Sequence, residues 1–224
     1  MGVDVVRFKV LAFVLGSAYP FFPEHTVHLE VVDPGVGGPR MPIIVESETH
    51  RFVGPDNGVF SLVFARERLQ GVWEIDTGQF DASRMSATFH GRDIFAPVAA
   101  RLSLGVPAGS LGRETHSWVR LDELEPVVAD GVIKARVISV DTFGNLVSNL
   151  SQNQFSRLAG SRSFRIAVGG IILRNIARSY SDVREGEVLA LFGSAGLLEI
   201  AVRNGDCRRL LQVTRGAPVE ITLL

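Results

Sequence analysis

Apolar positions recur along this chain in two successive rhythms. In the first half, stretches with helical spacing alternate with short β-branched runs. Residues 5–18 read as a helix, 26–33 as a largely buried strand, and 42–46 and 51–53 as further strands. Residues 59–66 read as a helix opened by a Pro-Asp-Asn-Gly turn and 72–75 as a strand, followed by a helix over 94–104 with Pro97 near its first turn and Gly105 at its end. Such alternation predicts an α/β domain whose sheet is sandwiched by helices. In the second half the apolar runs are short and separated by glycines, at 132–140, 163–168, 171–173, 187–192, 197–202 and 219–223. This spacing predicts a small all-β, barrel-like domain. The expected organisation is an N-terminal α/β domain over 1–110, a linker over 111–126 and a C-terminal β domain over 127–224.

Composition narrows the function classes without selecting one. Over 224 residues, 46% hydrophobic and 21% charged, the chain is globular and long enough to bury a substantial core. A formal net charge of −1 gives no electrostatic reason for nucleic acid or an anionic membrane as a partner, so neither is expected. The single cysteine, Cys207, excludes an internal disulfide and a cysteine-based zinc site, and fits a reducing compartment.

Chemistry-bearing residues concentrate in glycine-rich turns. The run Val31 to Arg40 ends a predicted strand with Asp33-Pro34-Gly35 and carries an arginine seven residues after the aspartate. Its Gly35-Val36-Gly37-Gly38 segment lacks the Gly-Lys-Ser/Thr ending of a phosphate-binding loop, and a dinucleotide fingerprint would need glycine where Arg40 stands. Read alone, the segment is a tight turn. Among the five histidines only His25 and His28 are close in sequence. Three apart on one strand they would face opposite sides, so no shared metal is expected. His90 lies in Thr88-Phe89-His90-Gly91-Arg92-Asp93, where the plain reading is a helix-entry residue. Asp141-Thr142-Phe143-Gly144-Asn145 likewise reads first as a turn.

Taken together, these blocks resemble the S-adenosylmethionine (SAM) hydroxide adenosyltransferases, also called adenosine-forming SAM hydrolases, relatives of the fluorinases and chlorinases. The resemblance is carried in one order by Phe22 to His28, Val31 to Arg40, Gly54-Pro55-Asp56-Asn57-Gly58, Thr88 to Pro97, Asp141 to Asn145 with Asn149, and Gly193-Ser194-Ala195-Gly196. It implies a catalytic set of Asp33, Arg40 and His90: Arg40 would stabilise a developing hydroxide, and His90 and Asp33 would orient the water and accept its proton. It gives Asp141 the substrate's α-ammonium group, Phe143 a packing surface, Asn145 a hydrogen bond to adenine, Ser194 the methionine carboxylate and Ala195 backbone contacts only.

The implied reaction is attack of water or hydroxide on ribose C5′ of SAM, releasing adenosine and methionine. The sulfonium is already a good leaving group, so neither a metal nor any other cofactor is expected. The set of Asp33, Arg40 and His90 favours hydrolysis over the halide chemistry of the related halogenases, which remain the alternative. The resemblance also implies a homotrimer with sites between subunits, and a cytoplasmic protein in which the apolar run Val10 to Leu15 belongs to a helix and not to a secretory signal. It further leads to the expectation of a preceding β-α segment with a Thr-Asp-Phe-Gly turn that binds the ribose. These 224 residues do not contain it. Two expectations follow, a start placed too late or a short, catalytically inactive SAM-binding relative.

Overall fold

A computed structural model describes residues 5–81, 83, 85–121 and 124–224, with side chains from 11 onward. The chain divides into two compact units, Met1–Leu121 and Asp122–Leu224. No helix among the described residues is long and apolar enough to cross a membrane.

The first unit is built on a five-stranded sheet. Helix α1 (Val5–Ala18) leads into β1 (Val27–Leu29), then β2 (Pro42–Ser47), β3 (Arg51–Pro55), α2 (Ser61–Arg66) and β4 (Leu69–Ile75). A five-residue π-turn (Gly91–Phe95) runs directly into α3 (Ala96–Ser103), and β5 (Gly112–Glu114) follows. The sheet order is β1-β3-β2-β4-β5. Only β1 and β3 run parallel; the other pairs are antiparallel. The apolar run in β2 has no polar alternation because both its faces are covered. Ile43 and Val45 pack with Leu15, Phe52, Phe60 and Val63 on one side, and Ile44 packs with Val53, Phe95, Val98 and Leu102 on the other.

Three details differ from the sequence reading. The strand expected over 26–33 is confined to Val27–Leu29 and is only partly buried. The Glu30 N–H still bonds to the Val53 carbonyl at 2.9 Å, but the Glu30 carbonyl occupies the space a side chain at Gly54 would need, and there the chain leaves the sheet. His25 therefore precedes the strand, in a turn at φ +66°, and is not on it. The helix expected over 94–104 begins as the π-turn three residues earlier, with the Ala96 N–H bonded to the Gly91 carbonyl. Of the stretch read as a linker, Gly112–Glu114 pairs with β4 in the first sheet.

The second unit contains β6 (Val127–Ala129), β7 (Val132–Val140), β8 (Leu146–Ser151), α4 (Gln152–Ala159), β9 (Phe164–Val168), β10 (Ile171–Leu173), β11 (Val188–Phe192), β12 (Leu197–Val202), α5 (Cys207–Leu211) and β13 (Pro218–Leu223). Its strands form one all-antiparallel, barrel-like sheet, β10-β9-β13-β7-β8-β12-β11, with β6 also on β7. Strand β7 is long enough to pair with β13 through its first half and β8 through its second, with a register shift between Val137 and Ser139. Inside lie Ile133, Leu146, Leu150, Ile166, Leu198, Ile200 and Ile221, and α4 closes one end through Phe155. Helix α4 is started by a capping box in which Ser151 and Gln154 satisfy each other's backbone N–H groups.

Candidate active site

In the first unit, two loops that are distant in sequence meet. The turn after β1 is closed by the Val36 N–H on the Asp33 carbonyl and the Gly38 N–H on the Gly35 carbonyl. Gly37 takes φ +75°, and a Cβ there would sit 2.7 Å from the Ala87 carbonyl oxygen, so the turn presses against the loop leading to His90. Gly91 serves the same close approach, since its Cβ would meet Val31 Cγ1 at 2.8 Å.

The result is a three-residue constellation. Arg40 donates from Nε to Asp33 Oδ2 at 2.9 Å and also from Nη2 to the same oxygen. Nη2 also lies 2.9 Å from His90 Nδ1. A guanidinium only donates, so Nδ1 accepts and the neutral imidazole carries its hydrogen on Nε2. Burial, and then the Arg40 charge, hold the His90 pKa below its ordinary value. The ion pair is well enclosed, with 11% of the Arg40 side chain and 5% of the Asp33 side chain exposed. Arg40 also lies over the Phe95 ring, 5.2 Å from its centroid. Both Arg40 contacts to Asp33 use Oδ2, and Asp33 Oδ1 is buried without a partner. A buried carboxylate oxygen with no donor is costly unless something else binds there. The π-turn sets the angle at which His90 enters α3, and π-turns recur at functional sites.

In the second unit, a cleft of about 870 Å³ is lined by Asp141, Phe143, Asn145, Tyr180, Ser194 and Glu199, among others. Ala195 does not line it. The Asp141 loop is an Asx turn: Oδ1 accepts from the Phe143 and Asn145 N–H groups, and Oδ2 accepts from Asn145 Nδ2 at 2.8 Å. Asp141 is thus held rigidly by the residue sequence reasoning assigned to the adenine. Phe143 stands at the lip with 76% of its surface exposed. Gly144 takes φ +87°, with Asp206 packed where its Cβ would be.

Sequence reasoning missed part of this cleft. Glu199, at the centre of β12, accepts a hydrogen bond from the Tyr180 hydroxyl at 3.2 Å. Burial raises the carboxyl pKa of Glu199, and burial together with the neighbouring carboxylates raises that of Tyr180 to about 12. The one available signal was a lone charge inside Leu197 to Val202, where every other residue is buried. Arg203 donates to the Val183 carbonyl at 2.6 Å and ties down the loop that carries Tyr180.

The family model described as the SAM hydroxide adenosyltransferase N-terminal domain matches residues 3–112, and that of the C-terminal domain matches residues 135–220. The (R)-S-adenosyl-L-methionine hydrolase of Salinispora arenicola is 40% identical over 219 residues, which cover 94% of this chain and 80% of that protein. The Thermus thermophilus protein of the same name is 34% identical over 222 residues, 94% and 81% of the two chains. A crystal structure of an uncharacterized conserved protein from Thermotoga maritima shares the fold with a TM-score of 0.85 at 38% identity, covering 98% of this chain and 86% of that one.

Proposed function

Because the chain belongs to the SAM hydroxide adenosyltransferase family, we propose that it hydrolyses S-adenosyl-L-methionine to adenosine and L-methionine. The oxygen of a water attacks ribose C5′, the C5′–S bond breaks with its electron pair going to sulfur, methionine departs as a neutral thioether and one proton is released. Charge is lost at sulfur as the bond breaks, so departure needs neither a general acid nor a metal. The difficult part is the nucleophile, since water is a poor one and hydroxide is scarce at neutral pH.

The observation that carries this reading is the way Arg40 divides its hydrogens between Asp33 Oδ2 and His90 Nδ1. It leaves Asp33 Oδ1 as a buried acceptor and His90 Nε2–H as a donor. We assign Asp33 Oδ1 the proton of the attacking water, His90 Nε2–H the orientation of the water oxygen, and the Arg40 charge the stabilisation of the developing hydroxide. General-base and electrostatic contributions of this kind are each worth about two to three orders of magnitude. Asp141 takes the α-ammonium group, Asn145 offers its amide oxygen to the adenine amine, Phe143 packs against the ligand, and Ser194 takes the carboxylate; Ala195, which does not line the cleft, is left without a role.

The relatives' names specify the R epimer of the sulfonium, and we assign the same epimer here. We further propose a cytoplasmic homotrimer in which the triad of one subunit and the cleft of its neighbour complete each site. Incubation of the purified protein with each sulfonium epimer, followed by chromatography, tests the reaction. Adenosine and methionine in equal amounts are expected, faster from the R epimer. Incorporation of chloride at C5′, or binding with no product, would overturn it.

A further inference from the structure

Glu199 is a charge placed where the fold alone calls for an apolar side chain. Its neighbours on the same face of β12, Leu197 and Ala201, are 2% and 0% exposed. The strand is irregular here, with a register shift between Leu197 and Glu199 against β8, and such bulges re-aim side chains. The carboxylate lies against Gly193, where any Cβ would overlap Oε1, and the Tyr180 hydroxyl fixes Oε2. Strand irregularity, a missing Cβ and a phenol therefore combine to hold one carboxylate on the cleft wall. The charge of Asp141 reaches both Glu199 and Tyr180. Two carboxylates so placed repel each other and favour a nearby cation.

We infer that Glu199, positioned by Tyr180 and Gly193, is a second carboxylate for the α-ammonium group of the substrate, acting with Asp141. The inference rests on the reading that this cleft takes SAM. The substrate offers two cationic centres, and reaction chemistry separates them. A carboxylate against the sulfonium would stabilise the reactant more than the transition state, in which that charge is disappearing, and would slow the reaction. The α-ammonium charge does not change during the reaction. A carboxylate there adds binding that is equal in reactant and transition state, which appears in KM and not in kcat.

The test uses the full chain and two probes that are not hydrolysed, S-adenosyl-L-homocysteine and 5′-deoxy-5′-methylthioadenosine. They share the nucleoside and the thioether, and only the first carries the amino-acid group. By calorimetry, Glu199→Gln should weaken binding of S-adenosyl-L-homocysteine about tenfold or more and leave that of methylthioadenosine nearly unchanged. With SAM as substrate, KM should rise by a similar factor at nearly constant kcat. Tyr180→Phe keeps the ring but removes the hydrogen bond that favours the Glu199 anion. It should move the acid limb of S-adenosyl-L-homocysteine binding to higher pH, against a background set by Asp141, Asp206 and Arg178 on the same cleft. Equal weakening of both probes would make Glu199 a structural or nucleoside-reading residue, and a raised kcat would place it against the sulfonium. Either outcome, or unchanged binding of both probes, overturns the inference. If the wild-type protein binds neither probe, the SAM reading fails first and takes this inference with it.

Discussion

Arg40 connects an anion, Asp33, and an imidazole, His90, through one planar group, and a lysine cannot reproduce that fork. Arg40→Ala would strand the buried Asp33 charge, at about 3–5 kcal/mol, so loss of activity in that variant would mix folding with chemistry. Arg40→Lys is the cleaner probe. It should keep the fold, with a melting temperature close to wild type, while kcat for SAM hydrolysis falls by about two to three orders of magnitude. Asp33→Asn should cost a similar factor, because an amide cannot take the water's proton. His90 separates two mechanisms. If it only accepts from Arg40 and donates from Nε2, His90→Gln retains both functions in part and should be clearly more active than His90→Ala. Equal inactivity of the two variants would return the base role to His90. The pH profile gives an independent reading. The folded-state pKa of His90 is lowered, so the imidazole stays neutral as pH falls through its ordinary range near 6.5. Activity should therefore persist to pH values below that range, measured as kcat/KM across an acid series.

Elements deliver these residues, and glycine placement decides how accurately they do so. Gly37→Ala would force a Cβ against the Ala87 carbonyl at a φ that alanine resists, at a cost of about 1–3 kcal/mol. It should also lower kcat by pushing the Asp33–Arg40 turn away from the His90 loop. Gly35→Ala is the control, because its Cβ meets only ordinary contacts at 3.7 and 3.8 Å, and its melting temperature should stay near wild type. Much of this element-level structure was legible. The apolar run of β2 read as a strand, and Pro97 and Gly105 bracketed α3; that β2 is covered on both faces emerged only from the packing. Other features left no trace in periodicity. A π-turn is one extra residue per turn with no signature composition, so the start of α3 was misread. Strand β1 ended early because a backbone carbonyl crosses Gly54, which only the fold reveals. The Asp33 to Arg40 turn read as a plain turn on its own, and its pairing with His90 came only through family resemblance. Glu199 had no motif around it. Strand β1 also carries a stability prediction. His28 packs among Tyr19, Phe22, His50 and Phe52, its Nε2 is buried without a partner, and its pKa is lowered to about 4, chiefly by burial and next by His50. The folded state therefore binds fewer protons than the unfolded one between about pH 6.5 and 4. Stability is full above that window and is lost as pH falls through it. With screening of this partly exposed ring, the loss is about 1–2 kcal/mol. His28→Phe should flatten that part of the melting temperature against pH curve.

At the scale of the whole molecule, the residues proposed for chemistry and those proposed for recognition belong to different units. Asp33, Arg40 and His90 lie within Met1–Leu121, and Asp141, Asn145, Tyr180 and Glu199 within Asp122–Leu224, each unit around its own core. A reaction needing both sets at one substrate needs two units brought together, and the proposed trimer does so between neighbouring subunits. That arrangement makes a prediction an intrachain site does not. Two variants, Arg40→Lys in the first unit, which loses turnover, and Asp141→Asn in the second, which loses substrate binding, should complement each other when co-expressed, purified as mixed assemblies and assayed at SAM concentrations low enough that each parent alone is nearly inactive. In a closed ring with head-to-tail contacts, each site takes one unit from each of two adjacent subunits. Random mixing in equal amounts then leaves about one site in four with both units intact, so about a quarter of wild-type activity should return. Sites formed within single chains would all carry one lesion, and the mixture would be no more active than its parents. Mixing the two proteins after separate purification should give less recovery, rising with time as subunits exchange. Recovery absent even after co-expression, in assemblies confirmed by mass spectrometry to contain both variants, would remove the intersubunit site and leave the SAM hydrolase reading standing on the intrachain alternative.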